Sequence, residues 1–143
     1  MILSMQDLFS DKQALTASAV STNIIDLGVS GTPVHGVAPL KRDLGQGNKI
    51  PLLVQVVEKF AGATGLTIQL QTATDEAFTT PITLVSQTIA VADLKAGARF
   101  SLPVVPYGAV QRYLRLNYTV AGSGTSGKVT AGFTMGNDET LPY

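Results

Sequence analysis

The feature that most constrains this chain is the alternation of apolar and polar residues along QRYLRLNYTV, residues 111–120. Successive side chains of a β-strand point to opposite faces of a sheet, so the alternation predicts one buried face and one accessible face. The predicted buried set is Leu114, Leu116, Tyr118 and Val120, and the predicted accessible set is Tyr113, Arg115, Asn117 and Thr119. The pattern resumes at Val129 after the run AGSGTSG, which predicts a closing antiparallel hairpin with AGSGTSG as its loop.

Other stretches predict further strands. The segment IPLLVQVVEKF, residues 50–60, is rich in β-branched and apolar residues on both of its faces. This is typical of a central strand that is covered on both faces, so Leu53 and Val57 on the second face are also expected to be buried. The segment GLTIQLQTATD, residues 65–75, alternates as a half-buried strand does, and ITLVSQTIAV adds another strand. Pro103 predicts that RFSLPVV lies at a sheet edge or that its ladder is interrupted there, because proline cannot donate a ladder hydrogen bond.

Seven or eight strands with hardly any helical periodicity predict an all-β fold, a single-domain antiparallel β-sandwich of jelly-roll type. The 143 residues are one domain by length, so the domain is expected to span residues 1–143. Residues 1–20 are expected to form a short N-terminal helix or arm, since Met5, Leu8 and Phe9 follow Ser4 at helical spacing. These apolar residues either tuck against the sheet edge or dock on another subunit.

The longest loop is the Gly- and Pro-rich stretch over residues 28–49, which contains Lys41 and Arg42. Loops of this length inside compact domains are usually functional or mobile, so the loop is a candidate interaction surface. A solvated loop without a role is the alternative.

Composition restricts the classes of partner. Ten basic and ten acidic residues cancel, which leaves no general field to attract a phosphate backbone, and we expect no nucleic-acid partner. No apolar run reaches the roughly 20 residues that span a bilayer, and the start MILSMQDLFSDKQ lacks a signal peptide, so we expect no membrane partner and synthesis in the cytoplasm without export. With no net charge to hold copies of the chain apart, the low repulsion between copies suits a protein that works in an assembly.

The sequence offers few of the residue types that catalysis needs. His35 is the single histidine and cysteine is absent, which argues against a catalytic triad, a thiol nucleophile and a zinc site. The adjacent acids Asp75 and Glu76 point apart on an extended chain, and Asp75 more plausibly caps a turn. We therefore expect no enzyme activity and no cofactor. A glycosidase using two distant carboxylates among Asp26, Asp43 and Asp75 is a weak alternative.

Three segments together resemble a known family. RYLRLNYTVAGSGTSGKVTAGF, LFSDKQALTASAVSTNIIDLG and LTIQLQTATDEAFTTPITL occur in an order that resembles the jelly-roll capsid cement proteins of tailed bacteriophages, of the Bordetella-phage type. The resemblance implies a small structural protein on the outer surface of the phage head. It implies that the protein associates with itself as a dimer, with a trimer as the alternative. It implies that the protein bridges neighbouring major capsid proteins after the shell has expanded.

This resemblance gives the accessible residues a use. Tyr113, Arg115 and Asn117 on the strand, with Lys41 and Arg42 in the loop, are candidate contacts to the capsid, since arginine and tyrosine are enriched at interface hot spots. The candidate contacts for self-association are Met5, Leu8 and Phe9.

The alternative function is a carbohydrate- or receptor-binding jelly roll on a virion appendage. The absence of tryptophan and an aromatic content of 6% argue against a sugar-stacking groove.

Overall fold

The computed structural model describes residues 3–29, 50–103, 105 and 110–134. These residues form seven strands in one antiparallel sheet, with one short 3-10 helix at Val91–Asp93. The strands are β1 (Leu3–Ala14), β2 (Ala19–Val20), β3 (Ile25–Asp26), β4 (Leu52–Ala73), β5 (Ile82–Ala90), β6 (Arg99–Leu102) and β7 (Tyr113–Thr134).

Two long strands, β4 and β7, organise the fold. Each has 22 residues, and they pair with each other from Leu52 opposite Phe133 to Ala73 opposite Tyr113. The ladder is irregular between Val56 and Gly65, where it changes register four times. Bulges of this kind bend strands and increase their twist, so the pair divides into two halves on either side of the irregular segment.

The short strands complete the two halves separately. β1 and β6 flank the half that contains the start of β4 and the end of β7. β2, β3 and β5 flank the other half. One apolar core draws side chains from both halves, including Val54 and Val129 from the first and Ile68 and Leu116 from the second. The predicted all-β antiparallel sandwich is therefore confirmed.

A series of hydrogen-bonded polar side chains, which begins at the buried pair Tyr118 and Ser10, links the two halves. The hydroxyl oxygens of Tyr118 and Ser10 lie 2.8 Å apart, and Ser10 donates to Gln13 Oε1 at 2.7 Å. Since Ser10 has a single hydroxyl hydrogen, Tyr118 is the donor to Ser10. Gln13 Nε2 then donates to the carbonyl of Val20 at 2.7 Å. Burial raises the pKa of the Tyr118 phenol far above its usual range, which keeps this donor protonated.

The predicted face pattern of β7 is confirmed, but the predicted closing hairpin is wrong. The alternation over residues 113–120 puts the four predicted apolar side chains in the core. However, both segments of the expected hairpin belong to one continuous strand, and each pairs with β4 rather than with the other. AGSGTSG lies opposite the irregular part of β4, so its glycines accommodate a bend and not a chain reversal.

The same correction applies to the segments over residues 50–60 and 65–75, which form the single strand β4. Leu53 is buried as expected, whereas Val57 is 39% exposed because it lies where the ladder becomes irregular. The edge position expected from Pro103 is confirmed, since β6 ends at Leu102 and pairs only with β4 among the described residues.

The predicted N-terminal helix is also wrong, because residues 3–14 form the edge strand β1. Leu8, Phe9 and Ser10 are buried in succession, which breaks the alternation expected of a strand. A register shift between Leu8 and Ser10 explains this run, since a bulge turns an extra side chain toward the core.

The bend in β4 yields a test of the fold. Gly62 has φ +77°, and a methyl group there would collide with the carbonyl oxygen of Ser123 on β7. Gly97 has a similar φ of +86° but open space around it. We expect Gly97→Ala to lower the free energy of unfolding by about 1–2 kcal/mol through backbone strain alone. Gly62→Ala should cost clearly more in urea unfolding, and equal losses would contradict a close approach of the strands at the bend.

A second test concerns the series of hydrogen-bonded polar side chains that links the two halves. Tyr118→Phe removes the hydroxyl that donates to Ser10, and we expect the free energy of unfolding to fall by about 0.5–1.5 kcal/mol. Tyr113→Phe is the matched control on the outer surface and should change stability by less than about 0.5 kcal/mol. Urea unfolding of both variants measures the difference. An unchanged free energy of unfolding in Tyr118→Phe would show that the hydrogen bond between Tyr118 and Ser10 adds no stability.

Candidate functional site

The outward-facing side chains of β4, β5 and β7 in the second half of the sandwich form a continuous surface, which we call the outer polar face. Cross-strand pairing aligns Thr119 with Thr67, Asn117 with Gln69 and Arg115 with Gln71. On its other side, β4 aligns Thr67 with Thr88 and Gln69 with Ser86. The outer polar face thus consists of the exposed or half-buried residues Thr67, Gln69, Ser86, Thr88, Tyr113, Arg115, Asn117 and Thr119, together with Gln71, which is buried.

Hydrogen bonds between neighbouring strands order the side chains of this face. Asn117 Nδ2 donates to Gln69 Oε1 at 3.1 Å, and the hydroxyl oxygens of Thr67 and Thr88 lie 2.9 Å apart. Such cross-strand pairs hold long polar side chains in one rotamer and lower the entropy that a partner would have to freeze on binding. The face is therefore a pre-ordered array of amide and hydroxyl groups.

Arg115 brings positive charge to this array. Its Nε donates to Gln71 Oε1 at 3.0 Å, and its guanidinium carbon lies 4.2 Å above the centre of the Phe78 ring. Burial lowers the pKa of the Arg115 guanidinium, although arginine stays charged in proteins. Within the described residues, no carboxylate forms an ion pair with Arg115.

The turn after β4 sets the position of Phe78. Asp75 Oδ2 accepts hydrogen bonds from the amide of Thr79 at 2.9 Å and from its hydroxyl at 2.7 Å. The amide of Phe78 donates to the Asp75 carbonyl at 3.1 Å, and Phe78 adopts a left-handed φ of +52°. The capping role predicted for Asp75 is confirmed. A non-glycine residue in this conformation is strained, and here it keeps a buried ring beneath Arg115.

Arg112, three residues earlier, contrasts with Arg115. Its Nε and Nη2 both donate to the Asp26 carboxylate at 2.8 Å, a bidentate pair that ties β3 to β7. Asp26 Oδ1 also accepts from the amide of Gly28 at 2.8 Å. The hydrogen bonds to Asp26 raise the pKa of Arg112, and the negative charge of the Asp26 carboxylate offsets that of the guanidinium. Arg112 is therefore paired within the chain, whereas no carboxylate of the described residues pairs with Arg115.

A separate open groove of about 490 Å³ lies beside the first residues of β1. Its lining combines amide, hydroxyl, carboxyl and apolar groups but no aromatic ring among the described residues, namely Met5, Gln6, Leu8, Thr22, Asn23, Ile24 and Glu76. Sugar-binding sites usually use an aromatic face for stacking, so this groove lacks the main feature of such a site.

The predicted capsid-contact residues separate into two groups. Tyr113, Arg115 and Asn117 lie together on the outer polar face, as expected. Lys41, Arg42 and the rest of the loop after Val29 lie outside the described residues.

The candidates for self-association differ among themselves. Leu8 and Phe9 are buried in the core of their own chain, where Phe9 packs edge-on against Phe133 with ring centres 5.3 Å apart. Met5 alone of the three is presented to solvent, at 78% exposure.

Sequence reasoning missed the residues that support Arg115. Gln71 is directly opposite in the ladder, but this pairing requires the β4–β7 register, which the predicted hairpin had wrong. Phe78 follows the turn predicted at Asp75, and an apolar residue inside a polar turn is the one signal in the sequence that indicates a packing role.

The described residues contain no cluster of metal-ligating side chains. No group of three or more His, Asp or Glu side chains in that part of the chain is close enough to hold a metal ion. Among the same residues, no helix has the length and apolar character needed to cross a bilayer.

The chain is a small antiparallel β-sandwich with a pre-ordered polar face, on which no carboxylate of the described residues pairs with Arg115. The Bbp16 family matches residues 9–133, which cover most of the described strands, and the chain belongs to this family. The family's name points to a protein of a Bordetella phage. No curated protein matches the chain.

The turn beneath Arg115 yields a pH test. Hydrogen bonds from Thr79 lower the pKa of Asp75, so its charged form stabilises the folded state above the pKa of the unfolded chain. This contribution is lost as the pH falls through the lowered folded-state pKa. We therefore expect Asp75→Asn to be less stable than the wild type at neutral pH, and the difference to shrink in acid.

Urea midpoints across the acid range measure that difference. Thr79→Val is the matched variant, because it removes the hydroxyl donor but keeps the amide donor. It should reduce the acid dependence only in part. A constant difference between wild type and Asp75→Asn at every pH would contradict the role of the carboxylate.

Proposed function

We propose that this chain is a non-enzymatic structural protein of a phage virion, which binds the outer surface of the head and bridges neighbouring major capsid proteins. Membership of the Bbp16 family supports a phage protein. The bridging role rests on the likeness to capsid cement proteins and on the chemistry of the outer polar face. Synthesis in the cytoplasm of the host bacterium and assembly onto the expanded shell complete the proposal.

The observation that carries the proposal is the environment of Arg115. Its guanidinium is held between the Phe78 ring and Gln71, yet among the described residues no carboxylate neutralises it. A planar guanidinium fork fits a carboxylate with two parallel hydrogen bonds. The partner surface should therefore present an Asp or Glu side chain opposite Arg115. Stacking and hydrogen bonding also reduce the rotamer entropy that binding costs.

The surroundings of Arg115 suit a protein partner more than a polyanion. The aligned amides and hydroxyls of Asn117, Gln69, Thr67 and Thr88 offer both donors and acceptors, and none carries a charge. Protein interfaces use roughly one hydrogen bond per 100–200 Å², a density that such an array can supply. The zero net charge of the chain provides no long-range attraction, so recognition depends on this short-range complementarity.

Weak individual contacts suffice when many copies bind one shell. Linked binding events benefit from a high effective concentration, so modest interfaces can lock a symmetric lattice. Bridging requires each assembly to contact two capsid proteins at once, which a self-associated pair of chains achieves with two copies of the outer polar face.

The test is co-sedimentation of the purified protein with expanded heads that lack it, with unexpanded proheads as the control. We expect saturable binding to expanded heads at a fixed ratio to the major capsid protein. Arg115→Ala should weaken this binding about tenfold or more, which corresponds to at least ~1.4 kcal/mol. Arg115→Lys should recover only part of it, because lysine lacks the planar fork and the stacking.

Arg99→Ala is the control, since Arg99 is an exposed arginine that lies on β6 in the other half of the sandwich, whereas Arg115 is half-buried. It should leave binding within a factor of about two, well under the loss at Arg115. No binding of the wild type to either form of head would contradict the proposed function and favour a receptor-binding role. Equal losses from Arg115→Ala and Arg99→Ala would contradict the assignment of the site.

A further inference from the structure

The edges of the sheet differ in how well they are protected against pairing with another strand. An edge strand presents unpaired N–H and C=O groups, and proteins protect such edges with charges, prolines, bulges or very short strands. In the described part of the chain, β1, β2, β3, β5 and β6 each have one side without a strand partner.

Four of these edges carry recognisable protection. β1 changes register three times and bears the charged residues Asp7, Asp11 and Lys12. β6 has four residues, begins with Arg99 and is followed by Pro103. β2 and β3 have two residues each. None of these edges offers a long regular ladder to a second chain.

β5 lacks this protection over most of its length. Its nine residues, ITLVSQTIA, include no charge and no proline. The ladder with β4 shifts once, where Leu84 is the extra residue between Val85 and Thr83. The shift leaves Val85–Ala90 as six regular residues with an open edge among the described strands. Ser86 and Thr88 on this segment are exposed.

A second observation lies at the middle of the same segment. Among the described residues, Gln87 Oε1 is the one buried side-chain oxygen or nitrogen atom without a hydrogen-bond partner. An unpaired buried amide oxygen costs free energy, because it has given up its hydrogen bonds to water without a replacement. Gln87 is therefore a residue whose hydrogen bonding is incomplete in the single chain.

We propose that β5 pairs with β5 of a second copy of this chain, antiparallel, with the two-fold axis at Gln87. In this register Gln87 faces its own counterpart, Ser86 faces Thr88 of the other copy, and Val85 faces Ile89 of the other copy. The amide N–H of each Gln87 side chain then donates to the Oε1 of its twin, which satisfies the buried acceptor on both chains. The sheet of one copy continues into the sheet of the other.

A second copy fits this edge because the edge is complementary to itself. An isologous pair brings identical residues together near the axis, so any charge there would face its own copy and repel it. The regular part of β5 has no charge, and its central residue is an amide that acts as donor and acceptor together. The pairing also aligns the outer polar faces of two chains side by side, although the inference does not require capsid binding.

Two matched double variants test the register in purified protein without capsids. Ser86→Lys with Thr88→Lys places like charges opposite each other in the proposed pair. Ser86→Lys with Thr88→Glu places each lysine opposite a glutamate of the other copy. Both variants lose the same Thr88 hydroxyl contact to Thr67, so they differ only in the sign of one charge.

Sedimentation equilibrium over a dilution series gives the oligomeric state, and circular dichroism confirms the fold. We expect twice the chain mass for the wild type and the Lys–Glu variant, and a weakening of at least tenfold in the dissociation constant for the Lys–Lys variant. A monomeric wild type would overturn the proposal. Equal association of the two variants, or loss of association in both folded variants, would also overturn it.

Single cysteines provide a measurement that does not depend on charged variants, because the natural chain has no cysteine. Directly opposite residues of an antiparallel pair have Cα atoms about 4.5–5.5 Å apart, within the range of a disulfide. Gln87→Cys should therefore form a covalent dimer under mild oxidation. Thr83→Cys is the control on the same strand, where the proposed register separates the two copies by about 26 Å. A covalent dimer from Thr83→Cys but not from Gln87→Cys would overturn the register.

Discussion

The antiparallel pairing of β4 with β7 is the interaction on which the rest of the structure depends. One ladder runs from Leu52 opposite Phe133 to Ala73 opposite Tyr113, so the same two strands supply the central strands of both halves. Buried backbone N–H and C=O groups must be hydrogen-bonded, and in the core these two strands satisfy each other. Damage at the shared bend is therefore felt on both sides of the sandwich, while the short strands only extend the edges.

The same ladder also creates the candidate binding surface. Because the register aligns Arg115 with Gln71 and Asn117 with Gln69, long polar side chains meet in hydrogen-bonded pairs and are held in place before a partner arrives. The turn at Asp75 adds the Phe78 ring beneath the guanidinium. In a chain with only 14% charged residues, one arginine that is pre-positioned and not neutralised within the described residues is the feature on which the proposed capsid contact rests.

Alternation predicted the faces of the strands well, but not their partners. The outward position of Tyr113, Arg115 and Asn117 followed from period two, since neighbouring side chains of a strand must diverge. The closing hairpin did not form, because the glycine-rich segment between its supposed strands bends rather than reverses the chain. Likewise, the helical spacing of Met5, Leu8 and Phe9 suggested a helix, whereas the bulge in β1 explains how the successive side chains of Leu8, Phe9 and Ser10 are buried in a strand.

By itself, then, the sequence determined the all-β class, the inward and outward sets of side chains, and the poverty of catalytic groups, because these depend on local periodicity and residue type. The tertiary structure decided the register of the strands. The register in turn placed Gln71 and Phe78 against Arg115, and it left the edge of β5 at Gln87 without a partner among the described strands. Those features join residues up to 44 positions apart, as in the bond between Arg115 and Gln71. Local preferences cannot specify such contacts, since many pairings of the same strands bury similar apolar surface and only the packed fold selects one.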